Sequence, residues 1–222
     1  MELIRLENVT KTYDKGEPVT PIQNLDMVVE TGSFIIISGE SGIGKSTLLM
    51  MIGALIAPTS GDIFYKGDSL NKMSEAEKSR LRGDHIGYIF QQPQFVQALT
   101  VEENLKLAAK TSDQDLTPAK AMDLLGLSNC RNNLPHQLSG GQKRRLAFAI
   151  AFLRDPEILL ADEPTNDLDE AWSEKIIQLL KERTADNRTV IMVTHSKKWD
   201  DLADLHYIIE NGDLVSYEQK SI

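Results

Sequence analysis

The segment Gly39–Leu49 reads GESGIGKSTLL and places Gly39 and Gly44 just ahead of Lys45 and Ser46. It follows SFIIIS, a run typical of a buried strand, and leads into KSTLLMMIGAL, a run typical of a helix. A glycine-rich loop between a strand and a helix can wrap a phosphate with backbone N–H groups, and the helix N-terminus adds partial positive charge. The segment therefore predicts a nucleotide site in which Lys45 contacts the terminal phosphates and Ser46 binds Mg²⁺.

The composition is that of an ordinary folded protein: 41% of the 222 residues are hydrophobic and 26% are charged. The net charge of −9 gives no reason to expect a nucleic-acid partner. Cys130 is the single cysteine and cannot form an internal disulfide. The first residues lack the apolar run of a signal peptide, and the longest apolar run, LLMMIGALIA, is far shorter than the roughly 20 residues that span a bilayer. We therefore expect membrane contact only through a partner.

Strand-like runs alternate with helix-length segments along most of the chain. The strand-like runs are LIRLENV, SFIIIS, HIGYIF, EILLAD, TVIMVTH and LHYIIE. This alternation predicts an α/β fold with a mostly parallel central sheet. Residues 91–138 interrupt it, because they contain the amphipathic segments VEENLKLAAK and TPAKAMDLLGL with no strand between them. They predict an inserted helical subdomain.

A second anion site is predicted at Leu138–Gln142, which reads LSGGQ and precedes the helical run KRRLAFAIAFLRD. Ser139 is expected to cap that helix, while Gly140 and Gly141 leave backbone N–H groups bare at its N-terminus. One nucleotide does not need two such sites in one subunit. The second site is therefore expected to serve the nucleotide of another copy, in a head-to-tail dimer.

Two further motifs place polar groups at the ends of buried strands. In EILLADEPT, the apolar run ends at Asp162 and Glu163. We expect Asp162 to hold Mg²⁺ through water, and Glu163 to orient or deprotonate the water that attacks the γ-phosphate. In TVIMVTH, the run ends at His195, which is expected to contact the γ-phosphate.

These motifs, in this order, resemble the ATP-binding subunit of ABC (ATP-binding cassette) transporters over nearly the whole chain. The resemblance implies a P-loop NTPase core with an N-terminal antiparallel β subdomain, so that residues 1–222 form one nucleotide-binding domain with a helical insertion at about 91–138. It also implies ATP and Mg²⁺ as cofactors.

The resemblance also assigns the site residues. Those expected to bind nucleotide are Tyr13, Gly39, Glu40, Ser41, Gly42, Ile43, Gly44, Lys45, Ser46, Thr47, Ser139, Gly140, Gly141 and Gln142. The metal residues are Ser46, Gln91 and Asp162, and the catalytic residues are Glu163, His195 and Gln91. Tyr13 would stack on adenine, although a tyrosine at a strand edge is also common. Gln92 is adjacent to Gln91, and only the alignment of FQ with the family pattern assigns the role to Gln91.

A finer resemblance lies in GDSLNKMSEAEKSRLRGDHIGYIFQ and ILLADEPT. These stretches are similar to the ATPases of lipoprotein-releasing and macrolide-exporting systems, a group that includes the cell-division ATPase partnered with an FtsX-type permease. This implies a homodimer closing around two ATP molecules, beneath integral membrane permease subunits on the cytoplasmic face. A groove at Phe95, Val96 and Leu99 is expected to receive a short permease helix. The alternative is that these residues pack the subdomain core.

Three departures from the family pattern are Asn166–Asp169 (NDLD), Ile43 and Ile150, the last in place of a usual arginine. Asp167 is expected to weaken ATP-driven dimerisation unless it points to solvent or pairs with Arg144 or Arg145.

Two other functions stay open. One is an ABC protein acting on ribosomes, which a single cassette and a charge of −9 disfavour. The other is a signalling ATPase that acts through a permease-like partner.

Overall fold

The computed structural model describes residues 1–14, 16–109, 116–210 and 212–217. The strands are β1 (Glu2–Tyr13), β2 (Val19–Glu30), β3 (Phe34–Ser38), β4 (Ser60–Tyr65), β5 (Asp68–Ser69), β6 (Ile86–Ile89), β7 (Ile158–Asp162), β8 (Thr189–Val193), β9 (Leu205–Glu210) and β10 (Asp213–Tyr217). The α-helices are α1 (Lys45–Ile52), α2 (Glu75–Asp84), α3 (Val101–Ala108), α4 (Pro118–Leu124), α5 (Gly140–Leu153) and α6 (Glu170–Thr184).

The strands form two sheets. The first has the order β2-β1-β4-β5 and is antiparallel throughout. The second has the order β10-β9-β3-β8-β7-β6, and only the β9–β10 pair is antiparallel. The mostly parallel central sheet and the N-terminal antiparallel subdomain are therefore confirmed.

The central sheet is covered on both faces, which explains why its strands are continuous apolar runs. Every residue of β3, β7 and β8 is buried. Phe34 and Ile36 of β3 pack into a core with α5 and α6, whereas Ile35 and Ile37 pack into a core with α1 and the antiparallel sheet. Strands held from both sides give fixed carboxyl ends, and the phosphate loop, Asp162, Glu163 and His195 lie at or just beyond those ends.

The two predicted helices of the insertion are present as α3 and α4, and both pack against α5. Thr100 caps α3, and Thr117 caps α4 with Pro118 in its first turn, so both starts are fixed by local chemistry. Lys110, the last residue of VEENLKLAAK, lies outside the described residues. The limits 91–138 for this subdomain stay a prediction. Within the described ranges, every helix is too short or too polar to cross a bilayer.

Candidate nucleotide site

The phosphate loop joins β3 to α1 and depends on glycine at two positions for different reasons. Gly44 has a φ of +119°, and a Cβ there would lie 2.7 Å from the Pro21 carbonyl oxygen. Gly42 has a φ of +81°, but a Cβ there would meet nothing within 4 Å. Gly44 is thus required by packing beneath the loop, while Gly42 borders open space, as a loop that wraps a phosphate requires.

Lys45, the first residue of α1, has its ammonium group inside this loop. The side chain is buried, and Nζ donates hydrogen bonds of 2.8 Å to the carbonyl oxygens of both Gly39 and Glu40. Burial lowers the pKa of Lys45, and the nearby carboxylates of Glu163 and Asp162 oppose that shift. The amine is therefore held inside the loop, within electrostatic reach of Asp162 and Glu163.

Tyr13, at the end of β1, lies beside the start of α1. Its hydroxyl is 3.4 Å from Thr47 Oγ1, and Lys11 Nζ is 5.3 Å from the ring centroid. The residue is 39% exposed, so part of its surface is free to contact a base. The structure thus places Tyr13 next to the phosphate loop, where the sequence expectation requires it.

Asp162 ends β7 with a carboxylate oxygen that lacks a protein partner. Its Oδ1 is buried, and no hydrogen-bond partner exists for it among the residues the structure describes. Burial raises the pKa of Asp162, while a hydrogen bond from Ser46 opposes that shift. A buried carboxylate oxygen next to a serine hydroxyl suits a hard divalent cation.

The set of protein donors also fits Mg²⁺ in particular. Within the described part of the chain, no group of three or more His, Cys, Asp and Glu side chains could hold a metal by itself. Mg²⁺ ordinarily keeps several waters and takes phosphate oxygens beside one or two protein ligands. Ser46 and Asp162 therefore match a cation that arrives with the nucleotide.

Glu163 and His195 come together although they follow different strands. Glu163 Oε2 lies 2.9 Å from His195 Nδ1 and accepts a 3.3 Å hydrogen bond from Thr194 Oγ1. Glu163 is buried and has a φ of +47°, a conformation that non-glycine residues rarely adopt and that is found at functional sites. Thr194 was missed by the sequence analysis. It could have been found from its place in TVIMVTH, where it directly precedes the histidine at the same strand end.

The LSGGQ segment forms the predicted helix start. The Ser139 hydroxyl accepts from the Gln142 backbone N–H at 3.2 Å, and Gln142 Oε1 accepts from the Ser139 N–H at 2.9 Å. The predicted cap is therefore confirmed as a reciprocal capping box. A Cβ on Gly141 would lie 2.9 Å from the Asp167 carbonyl oxygen, so this glycine lets the 166–167 loop pack closely against α5.

The three departures from the family pattern have definite places in the structure. Asp167 Oδ2 lies 3.8 Å from Arg144 Nη2, and the Asp167 side chain is 62% exposed, so this carboxylate both faces solvent and pairs at its edge with Arg144. Ile43 is partly buried against the core beside β3, and its Cγ2 is 3.2 Å from the Cβ position of Gly39. Ile150 lines a surface groove.

Gln91 follows β6, and its carbonyl oxygen accepts a 2.6 Å hydrogen bond from Arg144 Nη2. The side chains of Gln91 and Gln92 are both exposed, and the choice of Gln91 stays a prediction.

A groove lies where the partner groove was expected, and Phe95 also packs against the adjacent core, as the alternative for these residues holds. A groove of about 610 Å³ is lined by residues that include Phe95, Val96, Leu107 and Ile150. Leu99 is not among them. Its carbonyl oxygen instead accepts a 2.9 Å hydrogen bond from Asn104 Nδ2, which ties this turn to α3. Including Leu99 was therefore wrong.

Comparison with known proteins gives a consistent assignment. The ABC transporter family profile matches residues 22–166. The putative hemin import ATP-binding protein HrtA of Staphylococcus haemolyticus is 39% identical, over 95% of this chain and 98% of that protein. The lipoprotein-releasing system ATP-binding protein LolD of Psychrobacter arcticus is 35% identical, over 97% and 99%.

The solved structures agree. The dimeric structure of MJ0796, an ABC transporter cassette of Methanocaldococcus jannaschii, has a TM-score of 0.89 at 34% identity and covers 99% of this chain and 100% of its own. Another MJ0796 structure, a dimeric post-hydrolysis state bound to ADP and Pi, has a TM-score of 0.88 at 33% identity, with the same coverage. The fold, the site geometry and these matches show that the chain belongs to the ABC transporter family, as one of its ATP-binding ATPase cassettes.

Proposed function

We propose that the chain is the motor subunit of an ABC transporter of the lipoprotein-release and macrolide-export type, and that two copies close around two MgATP to drive membrane permease subunits. The observation that carries this proposal is the convergence of Lys45, Asp162, Glu163 and His195 around one loop, at the ends of β3, β7 and β8. A cation and two carboxylates beside a phosphate loop can bind the phosphates, hold Mg²⁺ and orient the attacking water, and the imidazole lies next to one of those carboxylates.

In this proposal each residue has a distinct task. Lys45 leaves its two carbonyl partners to contact the terminal phosphates, and Ser46 and Asp162 hold Mg²⁺. Bound Mg²⁺ would neutralise charge on the phosphates. Glu163 orients the attacking water and takes its proton, while His195, already 2.9 Å from Glu163, contacts the γ-phosphate.

The dimer follows from the second anion site. Ser139 and Gly140 are exposed at the N-terminus of the fourteen-residue helix α5, where backbone N–H groups and the helix dipole favour a phosphate. The nucleotide of a second copy would supply that phosphate. The dimeric state named for the MJ0796 structures supports this arrangement.

The groove supports a permease partner on the cytoplasmic face of the membrane. Leu107, one of its lining residues, is 67% exposed, and Val96 is 44% exposed. A cleft that combines apolar side chains with Gln94 and Arg154 in its lining suits a short amphipathic helix. The names of HrtA and LolD refer to hemin import and lipoprotein release. Both relatives are named as ATP-binding proteins, although the names give different substrates. The proposed permease type follows the lipoprotein-releasing relative.

The central test separates ATP binding from hydrolysis. Lys45→Ala should greatly weaken MgATP binding, because it removes the cation at the phosphates. Glu163→Gln should keep ATP binding, nearly abolish turnover and accumulate an ATP-bound dimer, measured by sedimentation. Glu182→Gln, at an exposed position near the end of α6, is the matched control and should keep parental turnover. Turnover of Glu163→Gln close to that of the parent would remove Glu163 from the catalytic role.

A further inference from the structure

Arg144 is buried in the interior of the cassette although it carries a permanent charge. It lies in the first turns of α5 and is only 1% exposed, which makes it the largest fully buried side chain among the described residues. Burying a guanidinium group is costly unless its N–H groups find acceptors. The position of those acceptors therefore indicates what the residue does.

The guanidinium group of Arg144 bonds two separate loops. Nη1 donates to the Phe90 carbonyl oxygen at 2.8 Å, and Nη2 donates to the Gln91 carbonyl oxygen at 2.6 Å. Nε donates to the Asn166 carbonyl oxygen at 3.2 Å. The first loop follows β6 and carries Gln91, and the second follows the strand that ends at Asp162. One planar cation thus fixes the relative position of two backbone segments beside the nucleotide site.

The charge of Arg144 also has partners on the catalytic side. Asp167 Oδ2 lies 3.8 Å from Nη2. Burial lowers the pKa of Arg144, and the carboxylates of Asp167, Asp162 and Glu163 oppose that shift. The ion pair of Arg144 is thus the one with Asp167, while Asp162 and Glu163 act on its charge from a greater distance.

We propose that Arg144 is a positioning residue for ATP hydrolysis, which holds the Gln91 loop and the 166–167 loop in the geometry that the reaction requires. It acts through backbone groups and touches no reacting atom itself. Lysine cannot replace it fully, because an ammonium group lacks the planar fork that reaches both loops at once. This inference deepens the proposed function, since it takes Gln91 and Glu163 as catalytic.

The test compares kcat with KM in Arg144→Gln, Arg144→Lys and Lys143→Gln. The last variant removes a neighbouring positive charge on the same helix and should keep parental kinetics. Arg144→Gln is expected to lower kcat about 10-fold or more, because small misplacements in a site carry costs of that size. Its KM for ATP and its affinity for ADP should stay within about twofold of the parent, since the phosphate loop is untouched. Arg144→Lys should recover part of the lost kcat.

A double-mutant cycle with Gln91→Ala identifies the route of the effect. If Arg144 acts by placing Gln91, the double variant Arg144→Gln/Gln91→Ala should lose no more kcat than the worse single variant. If Arg144→Gln does not fold, the same cycle is run with Arg144→Lys. Parental kcat in a folded Arg144 variant would overturn the proposal, and losses that multiply in the double variant would overturn the part of it that acts through Gln91. Inactive Lys45→Ala and Glu163→Gln alongside a fully active Arg144→Gln would reject the positioning role alone and leave the proposed function intact.

Discussion

Replacing Gly44 by alanine should destabilise the free protein strongly, for two reasons that the structure separates. A Cβ at this position would lie 2.7 Å from the Pro21 carbonyl oxygen and 3.1 Å from Ile22 Cδ1. Overpacking against a backbone atom costs about 1–3 kcal/mol. The φ of +119° adds strain of about 1–3 kcal/mol for an L side chain. We therefore expect Gly44→Ala to lower the free energy of unfolding by about 2–6 kcal/mol.

Gly42→Ala is the matched control, because it has the strain without the collision. Its φ is +81° and its Cβ would meet no atom within 4 Å, so the expected loss is about 1–2 kcal/mol. Urea unfolding of both variants without nucleotide measures the difference, since no phosphate then contributes to stability. Equal losses in the two variants, within about 0.5 kcal/mol, would refute the collision argument.

Three further outcomes are expected. Tyr13→Leu should weaken ATP binding about 2- to 12-fold through lost stacking but leave inorganic tripolyphosphate binding unchanged, whereas Tyr13→Phe should bind both normally; equal losses for both ligands would contradict adenine stacking. Phe95→Asp should fold yet fail to co-purify with the permease, while Val19→Asp, at an exposed apolar position in β2, should co-purify fully; undiminished co-purification of Phe95→Asp would make the groove assignment wrong. Hydrogen bonds from Arg131 and Lys106 lower the pKa of Glu102 to about 2. Arg131→Gln should therefore lower the free energy of unfolding by its full amount at pH 7, and this loss should shrink as the pH falls below about 4.5, because Glu102 then becomes protonated in the unfolded chain first. A loss that does not change with pH would exclude this ion pair as its cause.

The local parts of the site were predictable because the groups that form them are close together in the sequence. The cap of α5 needs only Ser139 and Gln142, three positions apart, and the structure shows both bonds of that box. Asp162 at the end of β7 and His195 two residues beyond β8 were predictable, because both follow apolar runs that must be buried on both faces. Such patterns depend only on spacing along the chain, so they can be recognised without knowing which distant residues pack nearby.

Long strands with mixed burial were less visible in the sequence. The sequence patterns did not single out β2 as a strand, although it runs from Val19 to Glu30. Exposed positions interrupt its apolar alternation, and register shifts break its pairing with β1. Its apolar residues therefore do not recur at every second position along the whole strand. Its place is set by pairing across the sheet, which a single segment does not encode.

The sequence by itself therefore determined the family, the phosphate loop and the residue types at the strand ends. Only the tertiary structure decided which groups meet: Glu163 with His195, Asp167 with Arg144, and Arg144 with carbonyl oxygens 22 and 54 positions away in the chain. It also showed that Leu99 does not line the groove beside Phe95 and Val96. The physical reason is that a buried charge takes whichever acceptors the packing of α5 against β6 and β7 brings near, and that packing depends on the whole core.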